Sequence, residues 1–554
     1  MKQHEKQRSS SSEVRSPEKH ESGVRSVVKR LRANQGQAWV ITNGRKVPVR
    51  LIGPADNDQL SWESDEAVAR GPVKLEFSGP AIGYHAHLES HGEQDGSLVT
   101  SMPTHFESVR VRREPRFPAP TGVQLRLRGA EHAFALLNLS DRGLQFRTDS
   151  DVSFLQLGER LDADVTFMGA LRVQLTVLVR HVTERQSEDS HVRSLDARAW
   201  TVGGSLAFAS SEDESRWHEQ VDLVRHSLTQ VGKLYTRDMW ELFDDAGYFG
   251  LSSKNSGEFV RYRQSFERCS RYLSGQSEHG VQVVFPSSRG IEATASAVAE
   301  SEDTAVIYHV AKRPGDDPRG ISGKLVLRSV YEHALTWAQR RHVQWVSAWV
   351  QDVTRFSCGL HRDFCKAHEG NGASGVFTFR ALEIAAHAEA PRDVRFEVAT
   401  AEHELEDILT VFRERHPQPI GDARGWHASA FVNPSSPFGR SMPRERRVVV
   451  ARKDGKLAAA AILECAQPGL HLFGIFDSCY VVSFGDDSAL GALLNEASRW
   501  YAARGKAHFV YACDDLTRQV PMARDLGVTH ESIFRIDLMS KFLEHLWQLT
   551  AEGT

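Results

Sequence analysis

The segments VRVRREPRFPAP (residues 109–120) and LLNLSDRGLQF (136–146) decide how this chain is read. The first gathers Arg110, Arg112, Arg113 and Arg116 into one short stretch of a chain whose formal net charge is −4. Pro115 biases Glu114 away from the helical region, so the stretch is extended or turned and several guanidiniums can close on one ligand. Arginine suits such a clasp, because its planar fork meets phosphate or the O6/N7 edge of guanine bidentately and its face stacks on a base. In the second segment, Asn138 and Ser140 stand two apart near the end of a strand and point to the same side, while Gly143 permits the tight turn that brings them close. Either segment alone reads as a solvated basic linker or as an ordinary turn that an Asn favours. Together, among short strands, they describe a site for a polar nucleotide and not for an apolar ligand.

Those short strands extend on both sides. VQLRLR, AFALLNL, LQFRTD, DADVTF, RVQLTVLVRHV and ARAWTVGGSLAF follow one another between 109 and 222 and read as a closing β-barrel. Upstream, AWVITN, KVPVRLIG and VKLEFSG, punctuated by Gly, Pro and Asn, give a small all-β domain over about 28–106. Downstream, Trp217, Val221, Val224, Leu228 and Val231 recur at helical spacing and predict a helix over 214–235. From about 237 helices alternate with strands. Within that region YEHALTWAQRRHVQWVSAWVQD (331–352) and LNEASRWYAARGKAHFVYACDD (494–515) align without gaps, matching Ala334, Trp337, Arg341 and Asp352 to Ala497, Trp500, Arg504 and Asp515. A duplicated α/β unit follows, with a seam near residue 390.

The boundaries expected are therefore a disordered tail at 1–25, a β domain at 26–108, a β-barrel at 109–222, a linking helix at 223–236, and α/β units at 237–390 and 391–554. At 554 residues the chain exceeds one core, and its 40% hydrophobic and 25% charged composition is that of a globular protein. The slightly acidic balance argues against bulk binding of a nucleic acid duplex or a membrane surface. Six cysteines are too sparse for a disulfide framework, and no secretory h-region follows the start, which points to the cytoplasm. The longest apolar run, LAAAAIL (457–463), is too short for a transmembrane segment.

Arg112 and Arg116, followed by Asn138-Leu139-Ser140-Asp141-Arg142-Gly143, resemble the RxxxR and [D/N]xSxxG signature of the PilZ family, and WTVGGSLAF (200–208) resembles the strand that closes its barrel. The resemblance implies a bacterial receptor for cyclic di-GMP. In it, Arg112 and Arg116 would clasp phosphate and guanine, Asn138 and Ser140 would read the second face, Gly143 would shape the turn and Arg113 would add a contact. Val111, before the first motif arginine, leans towards one bound ligand and not a stacked pair. The preceding β domain is similar to the N-terminal domain of YcgR-like flagellar-brake proteins. That likeness implies an arginine-rich linker that is mobile when empty and clamped when loaded.

GLHLFGIFDSCYVVSFGDDSALGALLNEASRWYAARGKAHFVYACDD (469–515) resembles the core of the GNAT acyltransferase fold, and the duplication is similar to tandem, FemAB-like transferases. That family cradles the coenzyme A pyrophosphate at the helix start with a basic or Gln residue and glycines. Here Gly485 and Gly491 keep part of the cradle, but Asp486 and Asp487 put negative charge where two phosphates belong. The first copy offers Arg319, Gly320, Gly323 and Lys324. The likeness leaves open an N-acyltransferase with a degenerate acyl-CoA loop, an aminoacyl transferase, or a non-catalytic platform for a protein partner in motility or envelope machinery. Cys358, His361, Cys365 and His368 share one helix face but spread over roughly 15 Å, too far to surround one ion, so no metal is expected. Among His403, His416, His427 and His508 none is singled out as catalytic.

Overall fold

The computed structural model describes Leu31, residues 37–432 and residues 444–550, leaving out 43–44, 56–58, 65–66, 79–82, 95–96, 104–106, 110–115, 121, 131, 149–154, 168–170, 186–198, 233–234, 252, 255, 276–277 and 522. The tail read at 1–25 lies outside these residues.

The first domain is a β-barrel. Its strands are β1 (Gln37–Thr42), β2 (Arg45–Ala55), β3 (Gln59–Glu63), β4 (Gly71–Ser78), β5 (Gly83–Gln94), β6 (Ser97–Ser101) and β7 (Glu107–Val109). Six run in the order β4-β1-β2-β3-β6-β5, and β4 pairs with β5 to close the ring, while β7 adds to β5. Alternation explains the interior: in β3 Leu60 and Trp62 point inward and are fully buried. The Trp62 indole donates to Thr100 Oγ1 at 2.9 Å, so the one polar atom it carries inward is satisfied.

The second barrel comprises β8 (Phe117–Pro118), β9 (Gln124–Leu127), β10 (Phe134–Ser140), β11 (Gly143–Thr148), β12 (Arg160–Thr166), β13 (Arg172–Arg185) and β14 (Ala199–Phe208). The order β11-β14-β13-β12-β9-β10 closes through β10–β11, and β8 lies on β10. Helix α1 (Ser211–Arg225) follows, capped by Ser210, whose hydroxyl accepts from Asp213 N, and favoured by Glu212, Asp213 and Glu214 in its first turn. Its Trp217 and Val221 complete the barrel core. The helix expected over 214–235, with its linking portion at 223–236, is thus corrected at both ends. The cap starts it earlier, and it stops at His226 because Gln230–Val231 form strand β15 of the next sheet. Leu228 and Val231 keep helical spacing by coincidence.

The second barrel and the α/β region belong to one compact unit, Arg116–His545. The α/β region is built on a twelve-stranded sheet. After β15 come β16 (Gly280–Ser287), β17 (Gly290–Ala299), β18 (Thr304–Lys312), β19 (Trp345–Gln351), β20 (Ser374–Ala385), β21 (Glu397–Thr400), β22 (Arg444–Lys453), β23 (Lys456–Ala466), β24 (Ser478–Ser483), β25 (His508–Cys513) and β26 (Arg524–Arg535). The order β15-β16-β17-β18-β19-β26-β20-β25-β24-β23-β22-β21 is nearly palindromic. Helix α2 (Gly323–Arg340) joins the parallel pair β18–β19, and α3 (Ala489–Ala502) joins the parallel pair β24–β25. The last strand of each half crosses to the other, since β26 pairs with β19, β20 pairs with β25, and the two exchanged strands pair together.

The repeated residues do the same work in both halves. Ala334 and Ala497 are fully buried, the Arg341 guanidinium lies 5.9 Å from the Trp337 ring, and that of Arg504 lies 4.0 Å from Trp500. All six cysteines are buried and free. Among the described residues no helix is long and apolar enough to cross a membrane.

Candidate nucleotide-binding site

Arg116, just before β8, donates from Nη1 to Asn138 Oδ1 at 3.3 Å, so the second arginine of the first segment and the first polar residue of the second do meet. β10 sets this up by pairing Asn138 with Pro118 on one side and Gln145 on the other. The Asn138 amide in turn donates to Gln145 Oε1 at 2.5 Å, which fixes the orientation of its carboxamide. A bulge between Leu136 and Asn138 re-aims the end of β10. Ser140 is buried, with its hydroxyl 3.4 Å from Gly143 O.

Gly143 is present for a different reason from the one expected. Its φ lies outside the left-handed region, so the turn does not require glycine. Space does: a Cβ there would lie 3.2 Å from both Gly204 O and Ser140 Oγ, and 3.8 Å from Arg116 Nη2. β11 and β14 therefore approach too closely here for a side chain. β14 is tighter still, because a Cβ on Gly203 would lie 2.0 Å from the His181 ring and one on Gly204 2.4 Å from Val177. Arg112, Arg113 and Val111 lie outside the described residues.

The PilZ domain family model matches residues 110–197. This segment is a PilZ domain. Solved structures similar to the chain include the K. pneumonia MrkH–c-di-GMP complex, at 13% identity over 38% of this chain and 97% of that one, with a TM-score of 0.32. They also include Escherichia coli YcgR in complex with c-di-GMP, at 15% identity, 38% and 92% coverage and a TM-score of 0.28. A tandem GNAT protein from the clavulanic acid biosynthesis pathway is similar at 14% identity, 54% and 94% coverage and a TM-score of 0.28. The comparison with curated proteins gives no match.

Several contacts around the PilZ motif carry no signal in the sequence. Trp217 of α1 donates from Nε1 to the Ser140 carbonyl at 2.9 Å. Arg225, at the end of α1, places its guanidinium 5.6 Å from the Phe117 ring and 3.4 Å from Asp141 Oδ2, touching both halves of the motif. Asp141 also accepts from Arg340 Nε at 3.0 Å, and Arg142 donates to His342 Nε2 at 2.7 Å. No periodicity links positions some 200 residues apart, so sequence reasoning misses these contacts.

In the α/β region carboxylates stand beside both helix starts. At α2, Asp316 accepts from Gly323 N at 2.9 Å, and Arg319 is turned onto Asp317 at 2.8 Å and away from the helix start. At α3, Asp486 accepts from Ser488 N at 3.0 Å and pairs with Lys453 at 3.2 Å, while Asp487 pairs with Arg518 at 2.9 Å. Both positions where an anion would use free N–H groups thus present acids.

The Cys/His face is divided among separate partners. His361 is buried beside Tyr331 Oη at 3.3 Å, its pKa pushed down to about 3 by burial, and His368 bonds Phe364 O at 2.9 Å. Cys358 instead lies within 4.8 Å of Asp352 and His530. There the Arg362 guanidinium donates to Asp352 at 2.8 Å. Of the four histidines considered, half-buried His416 lies 4.9 Å from the Trp426 ring with its pKa pushed down to about 4 by desolvation, and exposed His427 bonds Ser429 at 2.7 Å.

The most heavily charged interior lies between the two halves. Arg424 is fully buried, donating to Glu531 at 2.9 Å and to Glu464 at 2.9 Å, with its guanidinium 4.7 Å from the Trp349 ring and 4.6 Å from that of Tyr480. Burial lifts the Glu531 carboxyl to about 7 against the pull of Arg424.

Proposed function

We propose that the chain is a cytoplasmic cyclic di-GMP receptor whose PilZ barrel controls the α/β region. The observation that carries this reading is the Arg116–Asn138 contact beside Ser140 and Gly143, inside the matched PilZ segment. Arg116 supplies a bidentate donor, Asn138 and Ser140 supply both donors and acceptors, and Gly143 lets β11 pack closely on β14 behind them. Arg112 and Arg113 complete the positive end of this site, and one nucleotide binds per chain. Calorimetric titration with cyclic di-GMP, with GTP as control and Arg116→Ala as the variant, tests it. Saturable binding at one per chain that disappears in the folded variant supports the receptor. A folded wild-type protein that ignores cyclic di-GMP sinks it.

For the output, the carboxylates at both helix starts favour a non-catalytic platform that engages a protein partner over an acyl or aminoacyl transferase. Titration of acyl-CoA and of charged tRNA, each with and without cyclic di-GMP, separates the two, because a transferase must bind its donor in at least one state.

A further inference from the structure

The two central residues of the PilZ motif turn, Asp141 and Arg142, send their side chains to the α/β region. Asp141 Oδ1 is held by Arg340 and Oδ2 by Arg225, while Arg142 reaches His342 just past the end of α2. These contacts sit beside Ser140 and Gly143, which the receptor reading places against the ligand. The seam continues inward along α1 and α2. The imidazoles of His226 and His333 stack at 4.3 Å and 5°, His226 lies 3.1 Å from Thr336 Oγ1, and Thr229 Oγ1 lies 2.9 Å from His333.

This joint has a second arrangement within reach. Arg340 is shared between Asp141 and Asp222, with Nη1 2.5 Å from Asp222 Oδ2. The other oxygen, Asp222 Oδ1, is buried without a hydrogen-bond partner. A small rotation would let Arg340 take both oxygens of Asp222 bidentately and release Asp141, satisfying that orphaned acceptor. One contact set ties Asp141 to α2, and the other frees it.

Resting on the receptor reading, we infer that the Asp141 turn is the joint through which nucleotide occupancy reaches the α/β region, with the bound ligand favouring the arrangement in which Arg340 holds Asp141. The reason is charge. A dianion placed against Ser140 and Gly143 stands next to the Asp141 carboxylate, and that repulsion is relieved only while Arg225 and Arg340 neutralise it. Binding and docking therefore stabilise each other, and the coupling is reciprocal.

Titration of the full chain with cyclic di-GMP, combined with amide exchange over 332–342, tests the joint. Arg340→Ala, which touches no ligand, should weaken binding about tenfold. In the double variant with Asp141→Asn, affinity should return to within about twofold of Asp141→Asn alone, because the uncompensated charge is gone. In the unmodified protein the ligand should slow exchange at 332–342. If wild type binds, yet exchange there is unchanged and Arg340→Ala binds equally well, the inference is overturned while the receptor stands. Should Arg340→Ala not fold, the exchange measurement on wild type decides alone. Absence of binding by wild type overturns the receptor reading instead.

Discussion

Trp217 Nε1 donates to the carbonyl of Ser140 at 2.9 Å, fixing the backbone of the PilZ motif from the helix that follows the barrel. The ring is fully buried among barrel residues, 5.7 Å from Phe167. Trp217→Phe keeps most of the apolar contact and removes the donor to this carbonyl. It should cost about 0.5–1.5 kcal/mol of stability. Urea denaturation of the two proteins measures this directly, and equal midpoints would show that the bond contributes nothing.

Gly143→Ala tests the close packing of β11 on β14. The added methyl meets a backbone oxygen on β14, which cannot swing aside as a flexible side chain could. A loss of about 1–3 kcal/mol is expected, with weaker nucleotide binding. Gly204→Ala should be worse, since the methyl would lie 2.8 Å from the Leu178 backbone oxygen as well as 2.4 Å from Val177. Thermal melts rank the two.

The barrel motif is legible because its chemistry is written in residue types at fixed spacing: Arg116, Asn138, Ser140 and Gly143 can be named from sequence, and the structure brings them together. The role of Gly143 is not legible, because a glycine needed for space looks the same in sequence as one needed for a turn. Helix α1 reads too long for a related reason. Leu228 and Val231 continue its apolar spacing, but His226 and Thr229 meet their polar partners on α2, and Val231 pairs with β16. Arg340 and Asp141 cannot be matched from sequence, since nothing local distinguishes them from solvated charges. The halves of the α/β region show through Trp337/Arg341 and Trp500/Arg504, whereas the strand exchange does not. Periodicity reports that a strand exists and not which neighbour it takes.

Stability should fall in mild acid. Burial holds His333 down to about 4, with Arg340 and Arg225 adding to the effect against Asp222, and it holds His471 and His361 down to about 3. His226 is likewise lowered, first by burial and then by His333, Arg225 and Arg340. These groups bind protons more weakly folded than unfolded, so their cost is absent above the usual 6.5 and grows as pH falls from there towards 4. For His333 alone the full effect is roughly 3 kcal/mol. The urea midpoint should be flat from pH 8 to 7 and drop steeply between 6.5 and 4.5. A flat profile down to pH 5 would contradict neutral burial of these rings.

The strand exchange predicts that neither half of the α/β region folds alone. β19 pairs with β26 from Trp345↔Arg535 to Gln351↔Thr529, so a chain ending at 390 would present β19 as a largely apolar open edge. It would also lose Arg424 and leave Glu300, whose side chain is 3% exposed, without the Arg444 partner now 2.7 Å away. Removing one side of a buried ion pair costs several kcal/mol, so the charged seam resists division as firmly as the sheet does. Fragments 237–390 and 391–554, expressed separately, should lack cooperative melts and aggregate. Produced together they should assemble into a species whose melt matches that of the intact region. A monomeric, cooperatively melting 237–390 fragment would mean that β20 can replace β26 beside β19, and that the exchange is an alternative pairing and not a requirement of the fold.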